Sequence, residues 1–167
     1  MSTQANTKPV TAIIVGAGHR SLIYSSYALE HPEQLKIVGV VEPDALRRKE
    51  TCERFSIDED NAFESVDELL KRPVIADSII NGTMDALHVP LTIPLLRKGY
   101  HVLLEKPIGI SKEEVTSLLD VARETDRIVM VCHVLRYAPF YVEIKKRLLS
   151  GEIGEIVHME TTENVSY

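Results

Sequence analysis

Three short stretches carry residue types that could do chemistry together. Gly16-Ala17-Gly18-His19-Arg20-Ser21 lies between a compact apolar run and a helical pattern. Glycines at that spacing permit a tight turn and let a pyrophosphate approach the backbone. The helix N-terminus that follows offers free N–H groups and a partial positive charge. Ser21 stands where the G-x-G-x-x-G fingerprint has its third glycine; serine is small enough for close helix–strand packing, but the match is incomplete. A plain glycine turn is the other reading of these residues. The second stretch is Glu42, at the end of the next apolar run. A carboxylate there accepts both adenosine ribose hydroxyls and repels a 2′-phosphate, which favours NAD over NADP. An exposed loop acid is the alternative, and Arg47 and Arg48 soften the preference, since an arginine can accommodate a 2′-phosphate or stack on adenine. The third is Glu105-Lys106-Pro107. At the carboxyl edge of a parallel sheet, a lysine can hold a substrate hydroxyl or pass its proton as hydride moves. A surface ion pair before a turn proline fits the same spacing equally well.

These residues need a framework that brings them to one edge. Short β-branched runs alternate along the chain with helical patterns: Thr11–Val15 with a helix to about Glu30, Leu35–Val41 with Asp44–Phe55, and a short extended piece near Asn61–Phe63 before Ser65–Lys71. Ile75–Ile80 precedes a helix over Leu87–Lys98, punctuated by Pro90 and Pro94 and closed by Gly99. Val102–Glu105, a capping-box helix from Ser111 to about Thr125, and Ile128–Cys132 complete the rhythm. Near-continuous apolar strands separated by helices predict a doubly wound α/β fold, a parallel sheet covered on both faces by right-handed crossovers.

After Leu135 the pattern changes. Pro139–Leu149 reads as a helix ended by Ser150-Gly151, and Glu155–Val165 alternates like an antiparallel strand with nothing after it to pair with. A boundary near 133–137 follows, with a dinucleotide-binding domain over 1–135 and the unfinished beginning of a second domain over 136–167.

Composition excludes several classes. The 167 residues are 44% hydrophobic and 26% charged, ordinary for a globular chain, and the net charge of −6 with no basic stripe argues against nucleic-acid binding. No apolar run approaches the roughly 18 residues of a membrane span. The first ten residues, MSTQANTKPV, hold no signal-peptide core. Cys52 and Cys132 are too far apart in sequence for a metal knuckle or redox pair, and the expectation is a cytoplasmic protein with reduced thiols and no metal.

Taken in order, Gly-Ala-Gly-His-Arg at 16–20, Val-Glu-Pro-Asp at 41–44, His88 opening a helix, Glu-Lys-Pro-Ile-Gly at 105–109, Arg136-Tyr137 and Gly-Glu-Ile-Gly-Glu-Ile at 151–156 carry a family likeness. The sequence resembles the glucose–fructose oxidoreductase and inositol dehydrogenase family (Gfo/Idh/MocA) from about Thr11 to Val165. The resemblance implies a Rossmann domain holding NAD, with NADP possible. In it Gly16, Gly18, His19 and Arg20 line the pyrophosphate, Glu42 takes the adenosine ribose with Arg47 beside it, and Thr83 and His88 lie near the cofactor. Asn81-Gly82-Thr83-Met84 departs from the family's usual Ala-Thr-Pro. Glu105 approaches the nicotinamide ribose, Lys106 is the catalytic lysine on a Lys–Pro bond that is often cis, and Arg136 lies toward the nicotinamide end. The implied activity is hydride transfer between nicotinamide and a hydroxyl carbon of a sugar, cyclitol or related small molecule, completed by an α+β domain beyond Tyr167.

Two other readings bear on function. The chain also reads as a non-catalytic NAD-binding or interaction module, since an unpaired strand over Glu155–Val165 is a template for self-association into a homo-oligomer. Tyr141 and Lys145 match the Tyr-x-x-x-Lys of short-chain dehydrogenases, but the glycine spacing differs and Ile128 stands where that family has serine. His133 reads as a structural histidine at a strand end.

Overall fold

A computed structural model describes residues 8–162 and 164. The chain divides into two compact units, Met1–Cys132 and His133–Tyr167. In the first, β1 (Val10–Val15), α1 (His19–Glu30), β2 (Leu35–Val41), α2 (Ala45–Phe55), β3 (Ala62–Phe63), α3 (Val66–Lys71), β4 (Ser78–Asn81), α4 (His88–Lys98), β5 (His101–Leu104), α5 (Lys112–Thr125) and β6 (Val129–Val131) follow in order. The six strands form one sheet in the order β3-β2-β1-β4-β5-β6, with every pairing parallel. This is the doubly wound fold that the alternating runs predict.

Successive side chains of a strand point to opposite faces, and β1 shows the consequence. Ile13 and Val15 enter a core shared with Leu69 of α3, Leu95 of α4 and Leu118 of α5. Ala12 and Ile14 face the other way, into a core with Ala28 of α1 and Phe55 of α2. All four β1 residues are essentially inaccessible to solvent. A strand apolar on both faces has only one stable place, between two helical layers.

Local signals end the helices as their sequences require. The Asp44 carboxylate accepts from Arg47 N at 2.8 Å, and the Ser65 and Ser111 hydroxyls accept from Glu68 N at 3.3 Å and Glu114 N at 3.1 Å. The glutamates reach back as well, but one residue further than a capping box requires, Glu68 accepting from Glu64 N at 2.8 Å and Glu114 from Ile110 N at 2.9 Å.

Two expected strands differ. The run over Ile75–Ile80 becomes strand only from Ser78. Ahead of it the Asp77 carboxylate accepts from Thr11 N at 2.8 Å and Thr11 Oγ1 at 2.7 Å, so a side chain satisfies the β1 edge that a longer strand would have paired. The strand expected over Glu155–Val165 does not form across 155–162, because a strand needs a neighbour for its N–H and C=O groups and none pairs with it among the described residues. Residues 163 and 165–167 of that segment lie outside the described residues. The second unit contains a 3-10 turn at Val134–Arg136 and helix α6 (Pro139–Ser150), with Pro139 in its first turn, where the missing N–H costs nothing.

Candidate functional site

β1 and β4 are neighbours at the centre of the sheet, yet the chain leaves them toward opposite edges. Ligands of open α/β folds bind in the crevice outside the strand ends at such a reversal. Here Val15 pairs with Asn81, so the loops that follow, beginning at Gly16 and Gly82, lie side by side.

Gly16 has φ +79°, and a Cβ there would come 2.8 Å from Thr83 Cγ2, so both conformation and space demand glycine. Gly18 is different. Its φ of −78° suits any residue, and a Cβ would meet nothing nearer than the Gly82 carbonyl at 4.0 Å. The protein's own packing does not require a glycine at 18. Gly18 is the N-cap of α1, and that helix start has neither a side-chain cap nor an acidic residue in its first turn. Its first N–H groups therefore remain available for an anion.

Glu42 is 4% exposed. Its Oε2 accepts from Ala17 N at 2.8 Å and its Oε1 from Asp44 N at 3.0 Å, which latches the glycine turn to the end of β2. Gly16, Gly18, Glu42, Arg47 and Thr83 line one hollow of about 590 Å³ together with Glu64. Sequence spacing alone brings the first three of these together; Glu64 carries no signal in its own stretch. A second hollow of about 660 Å³ lies at the amino ends of the strands, where Asp77 is held by Thr11 and His101 Nδ1 accepts from Ile128 N at 3.0 Å.

A buried polar chain supports the loop after β4. Asn81, 1% exposed, donates from Nδ2 to Thr92 Oγ1 at 3.0 Å and accepts at Oδ1 from Thr83 N at 3.2 Å and Thr83 Oγ1 at 2.8 Å. His88 is equally buried, its Nδ1 2.6 Å from the Pro107 carbonyl and its Nε2 3.1 Å from the Thr83 carbonyl. His88 thus ties the Thr83 loop to the turn after β5 rather than facing the hollow. In the sequence Asn81 stands out only as part of the departure at 81–84; a polar residue closing an apolar strand is the signal that points to its structural role.

In that turn the Lys106–Pro107 peptide is cis. Glu105 is 7% exposed, accepting at Oε1 from the Tyr24 hydroxyl at 2.7 Å and at Oε2 from Lys106 N, with Arg20 Nε 4.0 Å away. Burial, then the bond to Glu105, pushes the Tyr24 phenol up, so it stays a donor. Burial, then the nearby Glu105 charge, pushes the Cys132 thiol up to about 11. Lys106 is exposed, and its ammonium forms no ion pair among the described residues, so the surface-ion-pair reading of Glu105-Lys106 has no counterpart. Glu105, Lys106 and Arg20 do not line the 590 Å³ hollow, and His19 is exposed at the start of α1. Arg136 belongs to the second unit, in its 3-10 turn.

The family model described as oxidoreductase family, NAD-binding Rossmann fold, matches residues 10–133. The chain belongs to the Gfo/Idh/MocA family. An uncharacterized oxidoreductase of Rhizobium meliloti is 33% identical over 124 residues, which are 74% of this chain and 36% of that protein. The scyllo-inositol 2-dehydrogenase (NAD(+)) of Bacillus subtilis is 26% identical over 149 residues, 89% of this chain and 43% of that protein. Among solved structures, scyllo-inositol dehydrogenase from Lactobacillus casei with bound NAD(H) and scyllo-inositol superposes with a TM-score of 0.81 at 20% identity, over 89% of this chain and 43% of that one. The chain spans less than half the length of these relatives and carries the family's NAD-binding portion. No helix among the described residues is long and apolar enough to cross a membrane.

Proposed function

We propose that this chain is the cofactor-holding part of an NAD(H)-dependent oxidoreductase acting on a hydroxyl carbon of a sugar, cyclitol or related small molecule. The open side of Gly18 carries the reading, because a glycine that the fold itself does not need leaves room for a ligand to lie against the backbone. Gly16, Gly18, His19 and Arg20 would surround the pyrophosphate at the α1 N-terminus. Glu42, already fixed by two backbone N–H groups, would keep lone pairs for the adenosine ribose, with Arg47 at the adenine end. Thr83 would lie under the nicotinamide half, held by Asn81 and, from behind, by His88. The bound nicotinamide would supply or accept the hydride. Glu105 would hold the nicotinamide ribose, and the exposed Lys106 would hold or move the proton of the substrate hydroxyl. The second unit begins the substrate domain in this reading. Cys52 and Cys132 are both unpaired, which supports a reducing, cytoplasmic compartment.

Calorimetric titration of the chain with NADH tests the proposal: saturable binding supports it, and no heat of binding at millimolar NADH overturns it. In a protein that carries the substrate domain, Lys106→Ala is expected to lower turnover far more than cofactor affinity; equal turnover removes that role. A non-catalytic interaction module is the second reading, favoured by the exposed Ile156, Val157 and Met159. A second copy pairing with 155–162 would cover them, and a strictly monomeric chain by light scattering at high concentration counts against it.

A further inference from the structure

The hollow that Glu42 lines has a second carboxylate, Glu64, just past β3. Beside it, Arg48 of α2 is held by three contacts. Its Nη1 donates to the Glu42 carbonyl at 2.5 Å and the Pro43 carbonyl at 3.3 Å, and its Nη2 meets Glu64 Oε1 at 2.9 Å. The Arg48 side chain is 15% exposed and that of Glu64 is 69% exposed, so the acid reaches inward to hold a nearly buried base. A guanidinium is the group best suited to grip a phosphate in two places, and this one is turned against the β2 end. Arg47 also lines the hollow, with its Nε 4.0 Å from Asp44 and its side chain 58% exposed, so among the described lining residues it is the cation that accompanies Glu42 and Glu64.

Resting on the reading that NAD(H) places its adenosine ribose at Glu42, we propose that Glu64 is a specificity-determining residue that rejects the 2′-phosphate of NADP(H). It acts in two ways. Its charge lines the same hollow as Glu42, so a 2′-phosphate there would meet two carboxylates. Its ion pair also withholds Arg48, the base that could have neutralised that phosphate. A discriminating site built this way pairs a repulsive element with the absence of an attractive one. A plain structural clamp between β3 and α2 would use the same ion pair but would leave cofactor choice untouched.

The test titrates the chain with NADH and with NADPH, in wild type, Glu64→Gln, and Glu64→Gln combined with Arg48→Ala. Wild type is expected to prefer NADH by about tenfold or more. Glu64→Gln keeps the side chain's size on an exposed position, and the ratio of NADPH to NADH affinity should rise at least about tenfold, as one close charge contact would give. Adding Arg48→Ala should remove only part of that gain, the share a freed Arg48 supplies, and leave the share due to the lost charge. An unchanged ratio in Glu64→Gln overturns the inference while the cofactor reading stands, and so does a wild type that prefers NADPH. A wild type that binds neither nucleotide overturns the cofactor reading, and this inference falls with it.

Discussion

Ser21 Oγ lies where Gly82 would carry its side chain: a Cβ on Gly82 would come 2.3 Å from that oxygen. Ser21 is wholly buried and its hydroxyl has no hydrogen-bond partner among the described residues, so α1 and the loop after β4 touch here by packing. Ser21 occupies the place of the fingerprint's third glycine, and the glycine at 82 leaves the room that its side chain fills.

Gly82→Ala should therefore destabilise the chain by about 1–2 kcal/mol, since the serine must turn away or the helix shift. In a Ser21→Gly background the same change should cost less than half as much. Urea denaturation of the four proteins measures the coupling. Independent, additive effects would mean the contact is not shared.

Gly18→Ala separates ligand from fold. A Cβ there meets no protein atom closer than 4.0 Å and the backbone conformation is ordinary. The melting temperature should stay within about 2 °C, because surface changes without strain cost little. NADH affinity should fall by about tenfold or more, as the pyrophosphate loses its close approach. Unchanged affinity by calorimetry would remove the cradle from the site.

His88→Ala should cost about 2–4 kcal/mol, because it opens a cavity at a residue 1% exposed and leaves the carbonyls of Thr83 and Pro107 without their nitrogen partner. Amide exchange should speed up in both loops, at 82–84 and at 106–109, which follow different strands. Faster exchange in only one of them would show that His88 does not join the two.

Alkaline unfolding follows from Cys132. An unfolded thiol ionises near its ordinary value of 9.0, whereas burial and Glu105 hold the folded one to about 11. Between those values the unfolded chain has released a proton that the folded chain retains, so stability is intact below pH 9 and declines as pH rises toward 11. Tyr24, raised for the same reasons, extends the decline upward. Cys132→Ala should flatten the pH 9–11 part of the profile in denaturant titrations. An identical slope in the variant would assign the loss elsewhere.

Much of this protein is written in short-range pattern. Apolar runs such as Thr11–Val15, with no polar face, already require burial on two sides and hence a parallel sheet between helices. The capping boxes at Ser65 and Ser111 close over three residues, and the glycine turn and Glu105-Lys106-Pro107 announce themselves within a few positions. Even Glu42 was legible, because its distance from the turn is set by one strand–helix–strand unit. Tertiary structure decided the partners. Tyr24 meets Glu105 across 81 residues, Arg48 chooses Glu64 rather than solvent, and Asn81 gathers Thr83 and Thr92. The segment over 155–162 shows the same division from the other side, since its alternation is a strand's but no neighbour pairs with it among the described residues. Periodicity and capping depend on residues a turn or two away, whereas a side chain's partner depends on strand order and register, which bring distant stretches together without leaving a mark in either one.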